Sequence, residues 1–421
     1  MIYDLIVAGG GAAGFFAAIR AAEVKPGFRI AIVEKSPKLL AKVKISGGGR
    51  CNVTHSCFDP IQLSKHYPRG AKLLKHVFRK FQVKDVVSWF ERKGVRLKAE
   101  EDGRMFPVTD DSQTIIDCFM REALAHKIKI EIANGIKQIK PGGNAFEITL
   151  HRGDVLRGRN VLIAAGGMPS LSSFDWIASL GVAIVPPLPS LFTFNDPSRI
   201  FADLMGLAVP EAEVRIAGTT FRSAGPVLIT HWGLSGPAVI RLSAWAAVYL
   251  HSIQYKFTAL VSWVGEMKET DLRDTLKIHT QTKGKQKVAT RPLFGLPSRL
   301  WTRLCDLAGI PEEKIWAELA QKSFNKLVEM LLRCPFAIDG KTTFKEEFVT
   351  CGGVDLKEVD YHTMQSTKVK GLYFAGEVLN IDGETGGFNF QAAWSTAAVA
   401  AEAIATSASI RNDDKSQAAD R

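Results

Sequence analysis

A chain of 421 residues exceeds what one simple core holds and points to two or three domains, and 46% hydrophobic with 23% charged residues are the proportions of a folded chain. No apolar stretch reaches the roughly 20 residues of a membrane span, and six cysteines without a CxxC pair or a zinc-like spacing to histidine indicate neither a disulfide framework nor a metal site, so the expectation is a cytoplasmic protein with free thiols. The net charge of +11 is uneven: from Lys35 to Lys98 sixteen Lys or Arg stand against three acids, a local balance of +13, which leaves −2 for the rest of the chain.

In chain order, "YDLIVAGG" reads as a short buried strand, "GAAGFFAAIRAAE" as a helix opening directly from glycines, and "FRIAIVEK" as the next strand. Asp4 before the apolar run and the lack of a basic leader argue against a signal peptide. The three elements form a βαβ unit. Gly9, Gly11 and Gly14 fit GxGxxG, and Glu34, beside Lys35, follows Gly14 by 20 residues, where a carboxylate reaches ribose hydroxyls. The amides of Gly11, Ala12 and Ala13 at the helix start then face a pyrophosphate.

The next stretch, "KISGGGRCNVTH", offers a bare backbone followed by a charge, a thiol and an amide at Arg50, Cys51 and Asn52. Beyond it, "AKLLKHVFRKF" sets Leu74, Val77, Phe78 and Phe81 on one helical face and Lys72, Lys75 and Arg79 on the other, a basic face suited to a polyanion or simply to water. "EEDGRMFPVTDDSQTIIDCFMREALAHKIKIEI" reads as loop, helix and strand, and "AFEITLHRGDVLRGRNVLIAAGG" as a hairpin and a buried strand ending at Gly166 and Gly167. Prolines in "IVPPLPSLFTF" mark a boundary. From about Leu191 to Ser262 short β-like runs alternate with glycine turns, and "PSRLWTRLCDLAGI" and "FNKLVEMLLRCPF" read as helices, while the basic run "KGKQKVATR" strengthens the polyanion reading. Residues 191–343 therefore read as an inserted domain, with a nucleotide domain in 1–190 that resumes over 344–405 and a flexible tail in 406–421. "GLYFAGEV" is another buried strand, ending at Gly376 and Glu377.

An opening GxGxxG, a late strand ending in glycine and acid, and a glycine-rich helix start form the layout of two-dinucleotide-binding-domain flavoproteins. The fold class is α/β: a Rossmann-like FAD-binding domain with an inserted β-rich plus helical domain. "KISGGGRCNVTH", "DGRMFPVTD", "HWGLSGPAV" and the run from "VTCGGVDLKEVDYHT" to "GETGGFNFQAAW" together resemble the BaiN/RdsA-like, or YhiN-like, family of FAD-dependent oxidoreductases over about Ile2 to Ala401. The chain departs from that pattern at "MPSLSSFDW", after Gly167, where a glycine-rich stretch is common, and in "STAAVAAEA" of the final helix.

In flavoproteins of this plan the loop after the ribose-binding acid runs back along FAD. Ser46, Gly48, Arg50, Cys51 and Asn52 are accordingly expected to form a second cofactor cluster, with Arg50 offsetting phosphate charge. Cys51 either packs or donates a proton to substrate carbon. Asp382, Gly387, Phe388 and Asn389 are expected against the flavin, with the following helix aimed at it, and Glu384 and Asn389 join Cys51 as catalytic candidates. His231 and Trp232 are candidates to stack on a planar substrate, and Lys72, Lys75 and Arg79 to contact RNA.

The resemblance implies redox chemistry on several substrates: uridine of ribosomal RNA, a steroid enone or a small amine. The first two are one reaction, hydride to the β-carbon and a proton to the α-carbon. The basic region favours uridine to dihydrouridine in 23S ribosomal RNA; a small-molecule flavoenzyme and a non-catalytic FAD-stabilised RNA-binding factor are the alternatives. No second GxGxxG is present, so NAD(P)H is expected, if at all, as a transient reductant, and no membrane or stable protein partner is expected.

Overall fold

Short runs of β-branched and aliphatic residues, each closed by glycine or an acid, build one mainly parallel sheet. Its core strands are Ile2–Ala8 (β1), Ile30–Val33 (β2), Lys129–Glu131 (β3), Val155–Ile163 (β4) and Leu372–Phe374 (β5). They stand in the order β5-β4-β1-β2-β3 with every neighbouring pair parallel. All four residues of β2 and all three of β5 are buried, as strands covered on both faces must be. A hairpin of Ile136–Pro141 and Phe146–Leu150 continues into the first half of β4 and leaves its second half to the parallel sheet. The chain is an α/β protein, and the computed structural model describes residues 1–343 and 349–419, with side chains through Ser407.

Helix α1, Ala12–Val24, is apolar almost all round because it is covered twice, by the sheet and by the terminal helix Phe388–Ala419. The close approach of the two helices rests on small side chains, Ala17, Ala18, Ala21 and Ala22 on one and Ala397, Ala398, Ala400 and Ala401 on the other, all buried. Phe16 meets Trp394 at 5.5 Å, and Arg20 pairs with Glu402 at 3.1 Å. The terminal helix spans most of the segment expected as a tail; residues 420 and 421 of that tail, like the expected domain re-entry at Phe344, lie outside the described residues.

The described residues divide into two units, Met1–Pro189 with Lys345–Arg421, and Ser190–Phe344. The second unit carries its own antiparallel sheet, Cys334–Asp339, Lys256–Ser262, Ala208–Ile216, Arg222–Thr230, Gly233–Ser235, Thr193–Asn195 and Lys341–Thr342 in spatial order, with its own apolar core. The sequence between Leu191 and Ser262 reads as β structure alone, and here the structure corrects it. Pro237–Ser252 is a 16-residue helix starting at Gly236 and Pro237, whose Ala238, Val239, Leu242, Ala246 and Leu250 are buried at helical spacing. Among the described residues no helix is long and apolar enough to cross a membrane.

Candidate functional site

The carboxyl ends of four neighbouring parallel strands carry the cofactor candidates: Gly9 after β1, Glu34 after β2, Gly166 after β4, and Gly376 and Glu377 after β5. Ligands of open α/β sheets bind at this edge. The glycines here divide into two kinds. Gly9 has φ +119° and a Cβ on it would stand 2.3 Å from the Ala164 carbonyl oxygen, while a Cβ on Gly14 would stand 2.0 Å from that of Gly9, so these two shape the turn. A Cβ on Gly11, Gly48, Gly49 or Gly166 would meet nothing within 4 Å. Those backbones border open space. Beside Gly11 the amides of Ala12 and Ala13, in the first turn of α1, have no carbonyl of their own helix to bond.

Glu34 accepts the Gly10 N–H at 2.7 Å and the Ser36 N–H at 2.8 Å, one on each oxygen, and each oxygen keeps a second lone pair for a ribose hydroxyl. Lys35 is exposed. Gly376 lies against the helix start, a Cβ there standing 2.9 Å from the Cβ of Ala13. Glu377 accepts the Thr350 N–H at 3.1 Å and the Lys42 ammonium at 2.6 Å, joining β5 to the short helix Ala41–Ile45 that leads into the glycine loop. Bare backbone on open space, unpaired helix-start amides and a backbone-oriented carboxylate fit an extended dinucleotide such as FAD.

Past that helix, the Cys51 N–H returns to the Ser46 carbonyl at 2.9 Å, and the side chains turn inward, onto the segment that precedes the terminal helix. The Asn52 amide donates to the Thr54 carbonyl and accepts the Gly387 N–H, each at 3.0 Å. Gly387, at φ +93°, leaves no room for a Cβ, which would fall 2.4 Å from the Thr54 carbonyl oxygen. The Thr54 hydroxyl donates to Gln391 at 2.6 Å and the Trp394 indole to the Val53 carbonyl at 2.9 Å. Loop 46–55 and segment 382–395 are thereby one structure.

Four of the expected site residues are engaged within the protein. Arg50 pairs with Glu100 at 2.6 Å and lies 4.0 Å over the Phe106 ring, so its charge is answered within the protein and does not stand free for a phosphate. Asp382 is fully buried and closed in a two-point ion pair with Arg69. Asn389 accepts the Gly383 N–H at 2.8 Å and donates to the Gly383 carbonyl at 3.0 Å, which clasps the loop. Cys51 has no exposed surface, and burial pushes its thiol up to about 12, which agrees with the packing alternative.

Two histidines of this junction are missing from the sequence-derived candidates. His66 Nδ1 and Glu384 Oε2 lie 3.0 Å apart, and the Glu384 N–H donates to the His66 carbonyl at 2.9 Å. Phe388, the first residue of the terminal helix, stacks with His66 at 4.3 Å and with His55 at 4.6 Å, while its carbonyl accepts the Tyr67 hydroxyl at 2.6 Å. Burial holds His55 below the usual imidazole range, with the Asp102 carbonyl, 3.1 Å from Nε2, opposing. His66 escapes notice in the sequence because nothing near it signals its partner, 318 residues away.

The helix Ala71–Lys80 buries Leu73, Leu74, Val77 and Phe78 and keeps Lys72 and Arg79 exposed and Lys75 half-buried. Its N-terminus abuts the site: a Cβ on Gly70 would stand 2.5 Å from Ile381. His231 and Trp232 belong to the second unit, where their rings meet edge-on at 4.3 Å and the Trp232 indole donates to Thr193 at 3.0 Å. Glu23, Glu122 and His126 come within metal-binding reach of one another, but Lys93 pairs with both carboxylates, at 2.8 and 2.7 Å.

The family described as HI0933-like protein Rossmann domain matches residues 3–403. The chain is 29% identical to the ribosomal RNA dihydrouridine synthase of Escherichia coli over 97% of its own length and 99% of the relative's. It is 26% identical to the 3-dehydro-bile acid delta(4,6)-reductase of Clostridium scindens over 95% and 98% of the two chains. Among solved structures, the 3-ketosteroid delta1-dehydrogenase of Sterolibacterium denitrificans shares the fold, with a TM-score of 0.52 over 96% of this chain and all of that one, at 12% identity.

Proposed function

Since the chain belongs to the HI0933-like Rossmann-domain family and is an FAD-dependent oxidoreductase, we propose that it reduces the C5=C6 bond of uridine in 23S ribosomal RNA to dihydrouridine. Gly11, Ala12, Ala13, Glu34, Gly48, Gly166, Gly376 and Glu377 are the groups we assign to the cofactor. When bound, FAD supplies the hydride. The chain's own residues orient the base, exclude water and hold the proton that completes the reduction.

The observation that carries the choice of RNA is the set of unanswered cations around the site. Lys65, Lys72, Lys75, Arg79 and Lys84 have no acidic partner among the described residues, and four of them are exposed. They occupy the segment that contains His66 and packs on Ile381. Five free cations there suit a phosphate backbone, and an uncharged enone needs none of them. The relatives named for ribosomal RNA and for a bile acid support the same chemistry, reduction of a double bond conjugated to a carbonyl. A ribosomal substrate would also place the protein in the cytoplasm. The base has to leave its stack to reach a flavin.

The test is anaerobic. Photoreduced holoenzyme is mixed with unmodified 23S ribosomal RNA, and the return of oxidised-flavin absorption is followed while the RNA is assayed for dihydrouridine. Reoxidation with stoichiometric dihydrouridine is expected. Reoxidation by a small enone such as 2-cyclohexenone but not by RNA would move the assignment to small molecules.

A further inference from the structure

We propose that His66 is the proton donor to the substrate carbon, through Nε2, and that Glu384 is the positioning residue that holds it. The inference rests on the reading above in one respect, that the substrate is a conjugated double bond. A carboxylate only accepts, so the 3.0 Å contact places the proton of the Glu384-facing nitrogen on Nδ1. Nε2 is then the variable atom, a donor when the ring is charged and an acceptor after the proton has left. Among the described residues Nε2 has no hydrogen-bond partner, and the His66 side chain is 36% exposed, whereas Glu384 is 13% exposed. The ring plane is fixed by Phe388, which lies nearly parallel to it at 12°.

The neighbouring groups do not compete for the role. His55, with its ring centre 6.1 Å from that of His66, is held below the usual imidazole range by burial, and its Nδ1 is buried without a partner. The Tyr67 hydroxyl is completely buried, is raised well above its ordinary range by that burial, and donates to the Phe388 carbonyl. Cys51 is sealed, and both ends of the Asn389 amide are taken by Gly383. Glu384, His55 and Tyr67 are the titratable groups facing His66 from the elements packed on it.

The step balances. One carbon of the double bond receives the hydride and its two electrons from reduced FAD. The electron pair of the double bond takes the Nε2 proton to form the second C–H bond. Neutral His66 then regains a proton from solvent, which its exposure allows.

The experiment compares wild-type holoenzyme with His66→Asn and Glu384→Gln, each checked for FAD content. Without turnover, nitrogen-15 NMR of histidine-labelled holoenzyme is expected to show neutral His66 protonated at Nδ1, and a mixed tautomer in Glu384→Gln; an Nε2-protonated His66 in the wild type would overturn the proposal. In anaerobic reoxidation, His66→Asn should lower the rate about 10²- to 10⁴-fold, the usual worth of a positioned acid. The wild-type rate should depend on pH, and that dependence should be absent in His66→Asn. Equal rates and equal pH profiles for wild type and His66→Asn would overturn it. If reduced wild type reacts with 2-cyclohexenone and not with RNA, the RNA reading fails, and the same comparison on the enone still decides the role of His66.

Discussion

Replacing Arg69 with leucine isolates the buried charge that anchors the site. Asp382 has no exposed surface and the Arg69 side chain is 16% exposed, so removal of the arginine takes the two-point ion pair away from a carboxylate in the protein interior. Breaking such a pair costs about 3–5 kcal/mol, and the partial exposure of Arg69 favours the lower end. With a urea dependence near 3 kcal/mol per M, that is a fall of roughly 1 M in the midpoint. The assay follows flavin fluorescence on release together with far-ultraviolet dichroism, at fixed FAD concentration, since bound cofactor itself stabilises. Removing both charges with Arg69→Leu and Asp382→Leu should recover at least half of the loss, because the cost lies in the unpaired charge. A midpoint shift below about 0.3 M in the single variant, under the same urea dependence, would refute the reasoning.

Gly11→Val should yield a folded, colourless protein, because the added side chain enters open space at the proposed pyrophosphate position, whereas Gly14→Val should lower the melting temperature as well, its Cβ falling 2.0 Å from the Gly9 carbonyl oxygen; absorption at 450 nm and thermal melts separate the two. Reversing charge at Lys72, Lys75 and Arg79 should weaken RNA binding and reduce the slope of log K against log salt by about 2, at roughly 0.7 to 0.9 per lost phosphate contact; filter binding across a potassium chloride series reads it, and an unchanged slope would leave that face to solvent. Burial pushes the thiols of Cys51, Cys305 and Cys334 to about 12 and that of Cys118 to about 11. Stability should therefore hold below the ordinary thiol range and decline above it, by about 1.4 kcal/mol per pH unit for each thiol. Urea midpoints from pH 8 to 11 should fall less steeply in Cys51→Ala, which keeps its FAD; parallel slopes would contradict the burial of that thiol.

What the sequence discloses depends on the distance over which a signal acts. The βαβ unit is legible because the apolar strands, the glycine spacing and Glu34 all lie within 35 residues, and each is a local requirement of the same turn. The prolines of Ile184–Pro189 mark the end of the first unit for a similar reason: among the described residues this strand pairs only with Thr350–Val354, and proline suits an edge. The helix Pro237–Ser252 is less visible, because its run of Ala, Val and Leu between glycine turns has the composition of a buried strand, and its helical spacing shows only once length is weighed. Least visible are the site pairs. Arg69 and His66 sit among ordinary basic and polar residues, and their partners Asp382 and Glu384 lie 313 and 318 residues further on.

Other long-range contacts fix the glycine loop in the same way. Its side chains hold protein: Asn52 grips Gly387, Thr54 meets Gln391, and Cys51 fills the core. Its backbone borders open space at Gly48, where a Cβ would meet nothing within 4 Å. A loop anchored through side chains and open through its backbone can take up a ligand without reorganising, because the residues that fix its shape are not those that meet the ligand. The same division explains why Arg50, the most conspicuous charge of the loop, serves Glu100, while the proton-carrying group comes from His66 outside it. Residue chemistry alone points to Arg50 and Cys51; the hydrogen bonds that tie the two ends of the chain together bring His66 alongside Glu384 and Phe388.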